Sequence, residues 1–307
     1  MSSYVSLIKA ESGKATKEDI AKALELIEFK APAKVNTVAI KANLCYYWNA
    51  STGYTTDPAL VGAIIDYLRD SYGQDLDITI AEADASAMQT KYAFKLLGYQ
   101  KLAEEKNVKL LNLCQDNIQD AEVQVNGRKL ALKVPESLMK SDLFINVPKL
   151  KVMRQVRLTC AMKNLFGAIA YPRKVIYHRT LEETIVGINK ILKPHLNIVD
   201  GIIALGAYPV RLNLLMAGAS AFSVDYVAAK VMGYQPSKVK FLNLAAKERL
   251  GEPRNVVVKG EKVEAFSKGF PIENNLVARV KMVAQFSLIK VYSKVSGDVI
   301  PPVIEDS

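Results

Sequence analysis

The sequence is short of cysteine and histidine, and it has no long uninterrupted apolar run. Its 307 residues include three cysteines, two histidines and one tryptophan. Cys45, Cys114 and Cys160 are far apart, without a C-x-x-C pair, which excludes a disulfide framework and a ferredoxin-type cluster cassette. The most apolar stretch, 202–221, is interrupted by polar residues, so no segment reaches the roughly 18 to 20 apolar residues of a membrane span.

Positively charged residues outnumber negatively charged ones, 41 to 31. Hydrophobic residues make up 50% of the chain and charged residues 23%, proportions that exclude a disordered or fibrous protein. The formal net charge of +10 makes this a basic protein and favours acidic partners: metabolites, membrane surfaces or nucleic acid. The first residues offer no signal-peptide apolar region, which predicts a cytoplasmic location.

Short β-branched runs alternate with longer helical patterns along most of the chain. The most secure helix is Asp57–Tyr72, with an acidic N-cap, Pro58 at its first position and Gly73 just beyond its end. The alternation predicts an α/β fold, a doubly wound and mostly parallel sheet with helices on both faces.

Two segments depart from that alternation. Residues 121–135 form two short alternating runs around Asn126-Gly127, which predicts an inserted β-hairpin. The predicted α/β domain covers residues 1–251, and residues 252–307 form a C-terminal helical appendage. Its helix Asn275–Lys290 should pack through Val277, Val280 and Phe286 on its own domain or on a second subunit, so a homo-oligomer is one expectation.

Several predicted strands end in polar residues. Ligands of doubly wound sheets bind beyond the carboxyl ends of the strands, so one crevice could receive these side chains. The alternative is that strand ends are polar simply because they meet water. The residues are Lys41 and Asn43, Glu82 and Asp84, Asn146, Lys149 and Lys151, and Asp200.

The segment 160–167 carries the sharpest local signal. Cys160, Lys163, Asn164 and Gly167 share one helical stripe, and apolar residues fill the other side. A lysine surrounded by apolar surface has either a depressed pKa that suits a base or a charge that binds an anion. A surface lysine with a buried stem is the alternative.

Other candidates are weaker. His178 lies in a basic aromatic loop after this segment and could move protons, whereas His195 is interpreted as structural. A divalent metal bridging Asp84, Asp200 and Asp225 fits carboxylate chemistry, although their spacing does not demand it, and the cofactor stays unknown. The cysteines are interpreted as buried apolar residues.

Seven stretches together resemble the domain of unknown function 362 family, over roughly residues 35 to 250. They are 39–44 (AIKANL), 80–84 (IAEAD), 142–151 (DLFINVPKLK), 161–167 (AMKNLFG), His178, 199–201 (VDG) and 224–229 (VDYVAA) with Met232-Gly233. The resemblance implies an α/β domain, joined in some relatives to an iron–sulfur ferredoxin module, and implies no settled reaction.

Three features depart from the family pattern. The ferredoxin cysteines are absent, Met153 stands where relatives typically carry a histidine, and 206–209 (GAYP) replaces a glycine-rich stretch. The resemblance therefore implies a divergent member, with altered or lost chemistry if that histidine is functional in relatives.

Three functions remain open from the sequence. The leading hypothesis is an enzyme acting on a small carboxylate or phosphate metabolite by proton-transfer, isomerase or lyase-type chemistry. In it Lys163, His178, Glu82 and Asp84 are catalytic, and Lys41, Asn43, Lys149, Lys151, Asn164, Asp200 and Asp225 bind the ligand. The alternative is a non-catalytic accessory protein that binds a metabolite, cofactor or metal. Nucleic-acid binding through a basic face is the lesser alternative.

Overall fold

Ten strands form one sheet in the computed structural model, which describes residues 2–153 and 155–272. The main path of the sheet runs β12-β1-β11-β10-β7-β2-β3-β4, and β8 pairs with β10 and with β9. The strands of this sheet are β1 (Ser3–Lys9), β2 (Thr37–Lys41), β3 (Asp77–Glu82), β4 (Lys109–Asn112), β7 (Leu143–Asn146), β8 (Lys149–Met153), β9 (Arg157–Thr159), β10 (Leu196–Leu205), β11 (Pro209–Gly218) and β12 (Val256–Gly260). Two further strands, β5 (Ile118–Val125) and β6 (Arg128–Pro135), form a separate two-stranded sheet.

The ten-stranded sheet is mostly parallel. Strand β2 pairs in parallel with β3 and β7, β3 with β4, β10 with β7 and β8, and β1 with β12. Strand β11 is antiparallel to both β1 and β10, and β9 is antiparallel to β8. The carboxyl ends of β2, β3, β7 and β10 therefore lie along one edge of the sheet.

Helices cover both faces and bury two separate apolar cores. One core contains residues of α1, α2, α3 and α4, and the other contains residues of the hairpin and of α6 to α10. This arrangement confirms the predicted doubly wound α/β fold. The helices are α1 (Lys17–Leu26), α2 (Pro58–Tyr72), α3 (Thr90–Leu96), α4 (Tyr99–Glu105), α5 (Glu136–Lys140), α6 (Ala161–Gly167), α7 (Leu181–Ile191), α8 (Ala221–Val231), α9 (Lys240–Lys247) and α10 (Glu264–Ser267).

Local capping explains where the first long helices begin and end. The Asp57 side chain accepts a hydrogen bond from the Ala59 N–H, Pro58 opens α2, and Gly73 follows its last residue. At α1, Thr16 and Asp19 form a reciprocal capping box. These contacts satisfy N–H groups that a helix start otherwise leaves without partners.

The hairpin β5-β6 confirms the predicted insertion. Its turn residues Asn126 and Gly127 have φ values of +49° and +77°, the left-handed conformation that a tight two-residue hairpin turn requires. Helix α7 packs against the hairpin at Gly187, where a Cβ would lie 3.0 Å from Val123 Cγ1. A larger residue at Gly187 would separate the two elements.

Two predicted helices are wrong in their extent. The helical pattern over Gln89–Lys106 predicts one helix, but the structure has two, because Gly98 adopts φ +82° between α3 and α4. The pattern over Leu158–Phe166 also predicts a helix, but it begins only at Ala161, because Arg157–Thr159 pairs with β8 as a strand. In both places a left-handed residue, Gly98 or Arg157, redirects the chain.

Residues after Gly251 contribute to the sheet and to one core. Strand Val256–Gly260 pairs with β1, and Phe266 and Phe270 are buried. The predicted helix Asn275–Lys290 lies outside the described residues. Within 2–153 and 155–272, no helix has both the length and the apolar character needed to cross a membrane.

Replacing Gly127 by Ala tests the hairpin turn. A Cβ at Gly127 meets nothing within 4 Å, so the cost of Gly127→Ala comes from the left-handed backbone alone. We expect the free energy of unfolding to fall by about 1–2 kcal/mol in urea denaturation. Asn126→Gly is the control and should cost little, since glycine adopts φ > 0 readily. Equal stability of Gly127→Ala and the wild type would contradict this turn geometry.

Candidate functional site

Polar strand ends meet in space at the carboxyl edge of the sheet. Lys41 and Glu82, at the last residues of β2 and β3, form an ion pair with 2.6 Å between Nζ and Oε1. Lys149 of β8 and Asp200 of β10 form a second pair, with 2.8 Å between Nζ and Oδ2. All four side chains are buried. The structure thus brings together residues that the sequence separates by up to 159 positions.

The carboxylate of Glu82 is held on both oxygens. Oε1 accepts the Lys41 ammonium and the Ala83 N–H, and Oε2 accepts the Leu44 N–H at 2.8 Å. Lys41 also donates to the Ala42 carbonyl at 2.7 Å. Burial lowers the pKa of Lys41, and the Glu82 charge opposes that shift. With every oxygen occupied, Glu82 acts as a counter-ion that fixes Lys41.

The Lys149–Asp200 pair ties three elements together. Asp200 Oδ2 also accepts the Asp57 N–H at 2.8 Å, next to the start of α2, and Oδ1 accepts the Ile202 N–H at 3.2 Å. The pair thereby joins β8, β10 and the beginning of α2. These contacts occupy both carboxylate oxygens of Asp200.

Four asparagines form a chain of hydrogen bonds that begins at Lys151. The Lys151 ammonium donates to Asn43 Oδ1 at 2.7 Å, and Asn43 Nδ2 donates to Asn164 Oδ1 at 2.9 Å. Asn164 Nδ2 donates to Asn146 Oδ1, and Asn146 Nδ2 donates to Asn197 Oδ1, each at 2.8 Å. Asn197 ends the chain on the carbonyls of residues 218 and 219. Aligned amides polarise one another, so the chain orients the Lys151 ammonium and locks α6 to the sheet.

The carboxylate of Asp225 is hydrogen-bonded to the start of α6. It accepts the Ala161 N–H at 2.6 Å and the Met162 N–H at 3.1 Å. Burial raises the pKa of Asp225 to about 7, although these two hydrogen bonds oppose the shift. Asp225 is buried, and both of its carboxylate oxygens accept hydrogen bonds from the start of α6.

Lys163 projects from α6 toward the other lysines and stays partly accessible. Its ammonium lies 4.1 Å from the ring centroid of Phe166, and the described residues provide no hydrogen-bond acceptor or carboxylate for it. Burial, reinforced by the positive charge of Lys151, lowers its pKa from 10.5 to about 7. Near neutral pH this side chain therefore exists in both charged and neutral forms.

Lys174 completes the group that we call the lysine cluster: Lys41, Lys151, Lys163 and Lys174. It is buried, and its ammonium donates to the backbone carbonyl of Asp84. Burial lowers its pKa from 10.5 to about 8, opposed by the neighbouring Cys114 and Glu82. In the sequence Lys174 belongs to a basic loop, and only its burial in the fold distinguishes it from a solvated surface lysine.

Asp84 and His178 lie at the margin of the lysine cluster. The Asp84 carboxylate accepts the Thr90 N–H at 2.7 Å and Asn112 Nδ2 at 3.0 Å, and it borders a cavity of about 410 Å³ that Lys163 does not line. Half-burial, followed by the Lys163 charge, lowers the pKa of His178 below 6.5. His178 is therefore close enough to Lys163 to sense its charge.

An aromatic loop, residues 45–55, follows β2 and approaches the lysine cluster. The Tyr54 carbonyl accepts a hydrogen bond from the Lys151 ammonium at 2.7 Å. Burial lowers the pKa of Lys151, and a hydrogen bond with Cys45 opposes that shift. Trp48 and Tyr54 expose 54% and 37% of their surface. Sequence reasoning missed this loop as part of the site, although its run of aromatics directly after Cys45 was a visible signal.

The described residues contain no group of three or more His, Cys, Asp or Glu side chains arranged to hold a metal ion. The three aspartates considered from the sequence have separate partners: Asp84 bonds Asn112, Asp200 bonds Lys149, and Asp225 bonds the start of α6. Met153, at the position of the family histidine, is the last residue of β8 and pairs with Arg157.

Parts of the chain are similar to known proteins. A stretch of 133 residues, 39% of this chain, is 32% identical to a thylakoid-associated protein of Synechocystis sp. and covers 41% of that protein, so less than half of the relative is matched. The lactate racemase apoprotein from Thermoanaerobacterium thermosaccharolyticum aligns over 71% of this chain and 56% of its own, at 12% identity and a TM-score of 0.41. A structural-genomics target from Thermotoga maritima aligns over 78% of this chain and 60% of its own, at 10% identity and a TM-score of 0.42. Both TM-scores are below 0.5, so these two likenesses say nothing about activity.

Residues 38–230 match the family described as Domain of unknown function (DUF362), the same family that the seven sequence stretches resemble. That segment holds the lysine cluster, the aromatic loop and the chain of asparagines. Because the match covers more than half of its 307 residues, the chain belongs to this family.

Proposed function

We propose that this protein is an enzyme that binds a small carboxylate or phosphate metabolite at the lysine cluster and moves a proton on it. The observation that carries the proposal is the imbalance of charge among buried groups. Of the four ammonium groups, only Lys41 has a carboxylate partner, Glu82. Lys151 donates to two neutral oxygens and is hydrogen-bonded with the Cys45 thiol, Lys174 donates to a backbone carbonyl, and Lys163 faces an aromatic ring.

An unbalanced buried cation is expensive to keep without a role. Removing an ammonium from water costs several kcal/mol. A bound counter-ion offsets this cost, and without one the pKa of the ammonium falls, so that the group loses its charge more easily. The lowered pKa values of Lys163 and Lys174 express that cost in the free protein. A bound carboxylate or phosphate would supply the negative charge, restore the ammonium forms and be held by charge-assisted hydrogen bonds.

The arrangement divides naturally into two chemical roles. Lys151, oriented by the Tyr54 carbonyl and by Asn43, would hold the anionic group of the substrate, together with Lys174. Lys163, restored to its ammonium form by the anion, would make a third contact to that group, and the neighbouring His178 would accept the substrate proton as a neutral imidazole and return it as an imidazolium. The neighbouring ammonium groups would stabilise the oxyanion that develops when the proton leaves.

Other parts of the original hypothesis take different roles in this proposal. Lys149, Asp200 and Asp225 would position strands and helices, since their polar atoms are engaged within the fold. Asn43 and Asn164 would orient Lys151, and Glu82 would fix Lys41. A cytoplasmic location remains part of the proposal and rests on the sequence alone.

Proton transfer is tested by deuterium exchange from solvent. The protein would be incubated in D₂O with a panel of small carboxylate and phosphate metabolites, and deuterium on carbon would be detected by NMR. We expect incorporation into at least one compound that carries an acidic C–H next to a carbonyl group, and loss of incorporation in Lys163→Met. Anion binding without any exchange or turnover would overturn the enzyme and support the non-catalytic binding protein.

Lys163→Met should damage anion binding far more than folding. Methionine keeps the apolar stem and deletes the ammonium, so a charge-assisted contact of about 1.5–3 kcal/mol is lost. Calorimetric titration with oxalate should show affinity falling by about 10- to 100-fold. Lys149→Met is the matched contrast: it leaves Asp200 buried without its partner and should lower the free energy of unfolding by about 3–5 kcal/mol. Unchanged oxalate affinity in Lys163→Met would remove this lysine from the site.

The pH dependence of anion binding follows from the two lowered lysine pKa values. Sulfate is a suitable probe, because its charge is constant between pH 6 and 9. Below pH 7 both ammonium groups are already charged, so affinity should be level. Above pH 7 binding must take up a proton at Lys163, and above pH 8 at Lys174 too, so affinity should fall by up to about tenfold per pH unit and site. In Lys163→Met the sulfate affinity should begin to fall only near pH 8. A fall in affinity that still began at pH 7 would show that a group other than Lys163 causes it.

A further inference from the structure

We propose that the anion taken by the lysine cluster carries a planar aromatic ring, which lies against Trp48 and Tyr54 of the aromatic loop. The inference rests on the proposed function and narrows its substrate class to aryl carboxylates or aryl phosphates. The observation behind it is that two exposed aromatic rings belong to the same loop whose Tyr54 carbonyl accepts a hydrogen bond from Lys151.

The two rings form a pair that is open to solvent. Their centroids are 6.1 Å apart and their planes are inclined by 31°. Together they leave about half of the Trp48 surface and over a third of the Tyr54 surface exposed. Rings at this spacing present apolar faces and edges suited to a third ring in offset or tilted contact.

Hydrogen bonds join these rings to the lysine cluster. The Lys151 ammonium donates to the carbonyl of Tyr54 itself, at 2.7 Å. The next residue, Thr55, accepts the Cys45 N–H through its hydroxyl at 3.3 Å, which closes the two ends of the loop. We therefore place the ring of the ligand against these aromatic side chains when its anionic group contacts Lys151 and Lys163.

The aromatic loop is held in one conformation rather than left free. Gly53 adopts φ +75° and its Cβ position lies 3.0 Å from the backbone of Ala204, so the loop is pressed onto β10. Asn49 caps the short turn at Ser51, and the Tyr47 hydroxyl accepts the Gln89 N–H at the start of α3. Tyr46 adopts φ +54°, a conformation that costs free energy in a residue other than glycine.

Exposing aromatic rings in a fixed loop has a cost in water that ligand contact would recover. Because the loop is already ordered, binding a ring there requires little further ordering, and the ring contact adds directly to affinity. The positive charge of the lysine cluster selects an anion, and the aromatic pair selects its shape. An aliphatic anion would use only the first of these two contributions.

The test compares two phosphate esters that differ only in the ring. Calorimetric titration should show phenyl phosphate binding about 3- to 10-fold more tightly than methyl phosphate, the size of one favourable aromatic contact. The same comparison of benzoate with acetate tests the carboxylate class. In Trp48→Leu the phenyl-to-methyl affinity ratio should fall to about 1, whereas Lys163→Met should weaken both esters and keep the ratio above 1.

Two further measurements keep the outcomes separate. Tyr72→Leu is the matched control, because Tyr72 is the last residue of α2 and thus at the far end of that helix from Asp57 and the site; it should leave the ratio unchanged. Trp48 is the only tryptophan, so phenyl phosphate should alter the protein's tryptophan emission while methyl phosphate leaves it unaltered, a readout that needs no variant. Equal affinity for both esters would overturn the aromatic inference and leave the anion site standing. Failure of every anion to bind would overturn the proposed function as well.

Discussion

The structure depends on one electrostatic constraint: four lysine ammonium groups share a buried edge of the sheet with too few carboxylates to neutralise them. Lys41 has Glu82, whereas Lys151, Lys163 and Lys174 have neutral oxygens or an aromatic ring. The Lys149–Asp200 pair next to them is balanced and joins the beginning of α2 to β8 and β10. The balanced pairs hold the fold, and under the proposed function a bound anion would neutralise the unbalanced group.

The surrounding polar groups orient the lysine ammonium groups without neutralising their positive charge. The four asparagines pass hydrogen bonds in one direction from Lys151 to the backbone after β11, and each amide donor meets an acceptor. Asp225 holds the start of α6, the helix that carries Lys163. Satisfied networks of this kind are rigid, because breaking any member leaves a buried polar group without a partner.

The sequence predicted the fold class and the meeting of polar strand ends because both follow local rules. Alternation of strands and helices gave the doubly wound sheet, and Asn126-Gly127 gave the hairpin turn. Strand periodicity brought Lys41, Glu82 and Asp200 to one edge, as the geometry of parallel strands requires. The sequence could not show that Lys174 is buried, that Asp225 caps α6, or that the aromatic loop folds back onto Lys151. Those features depend on contacts between segments distant in the chain, and a single sequence carries no record of such contacts.

Under the proposed function, Lys163 titrates near neutrality until a bound anion restores its charge. NMR of the protein with ¹⁵N-labelled lysine would measure this directly, with the Lys163 signal assigned by its loss in Lys163→Met. We expect a pKa about 7 in the free protein and a clearly higher pKa with saturating sulfate. A Lys163 pKa near the ordinary 10.5 that does not respond to sulfate would contradict the account.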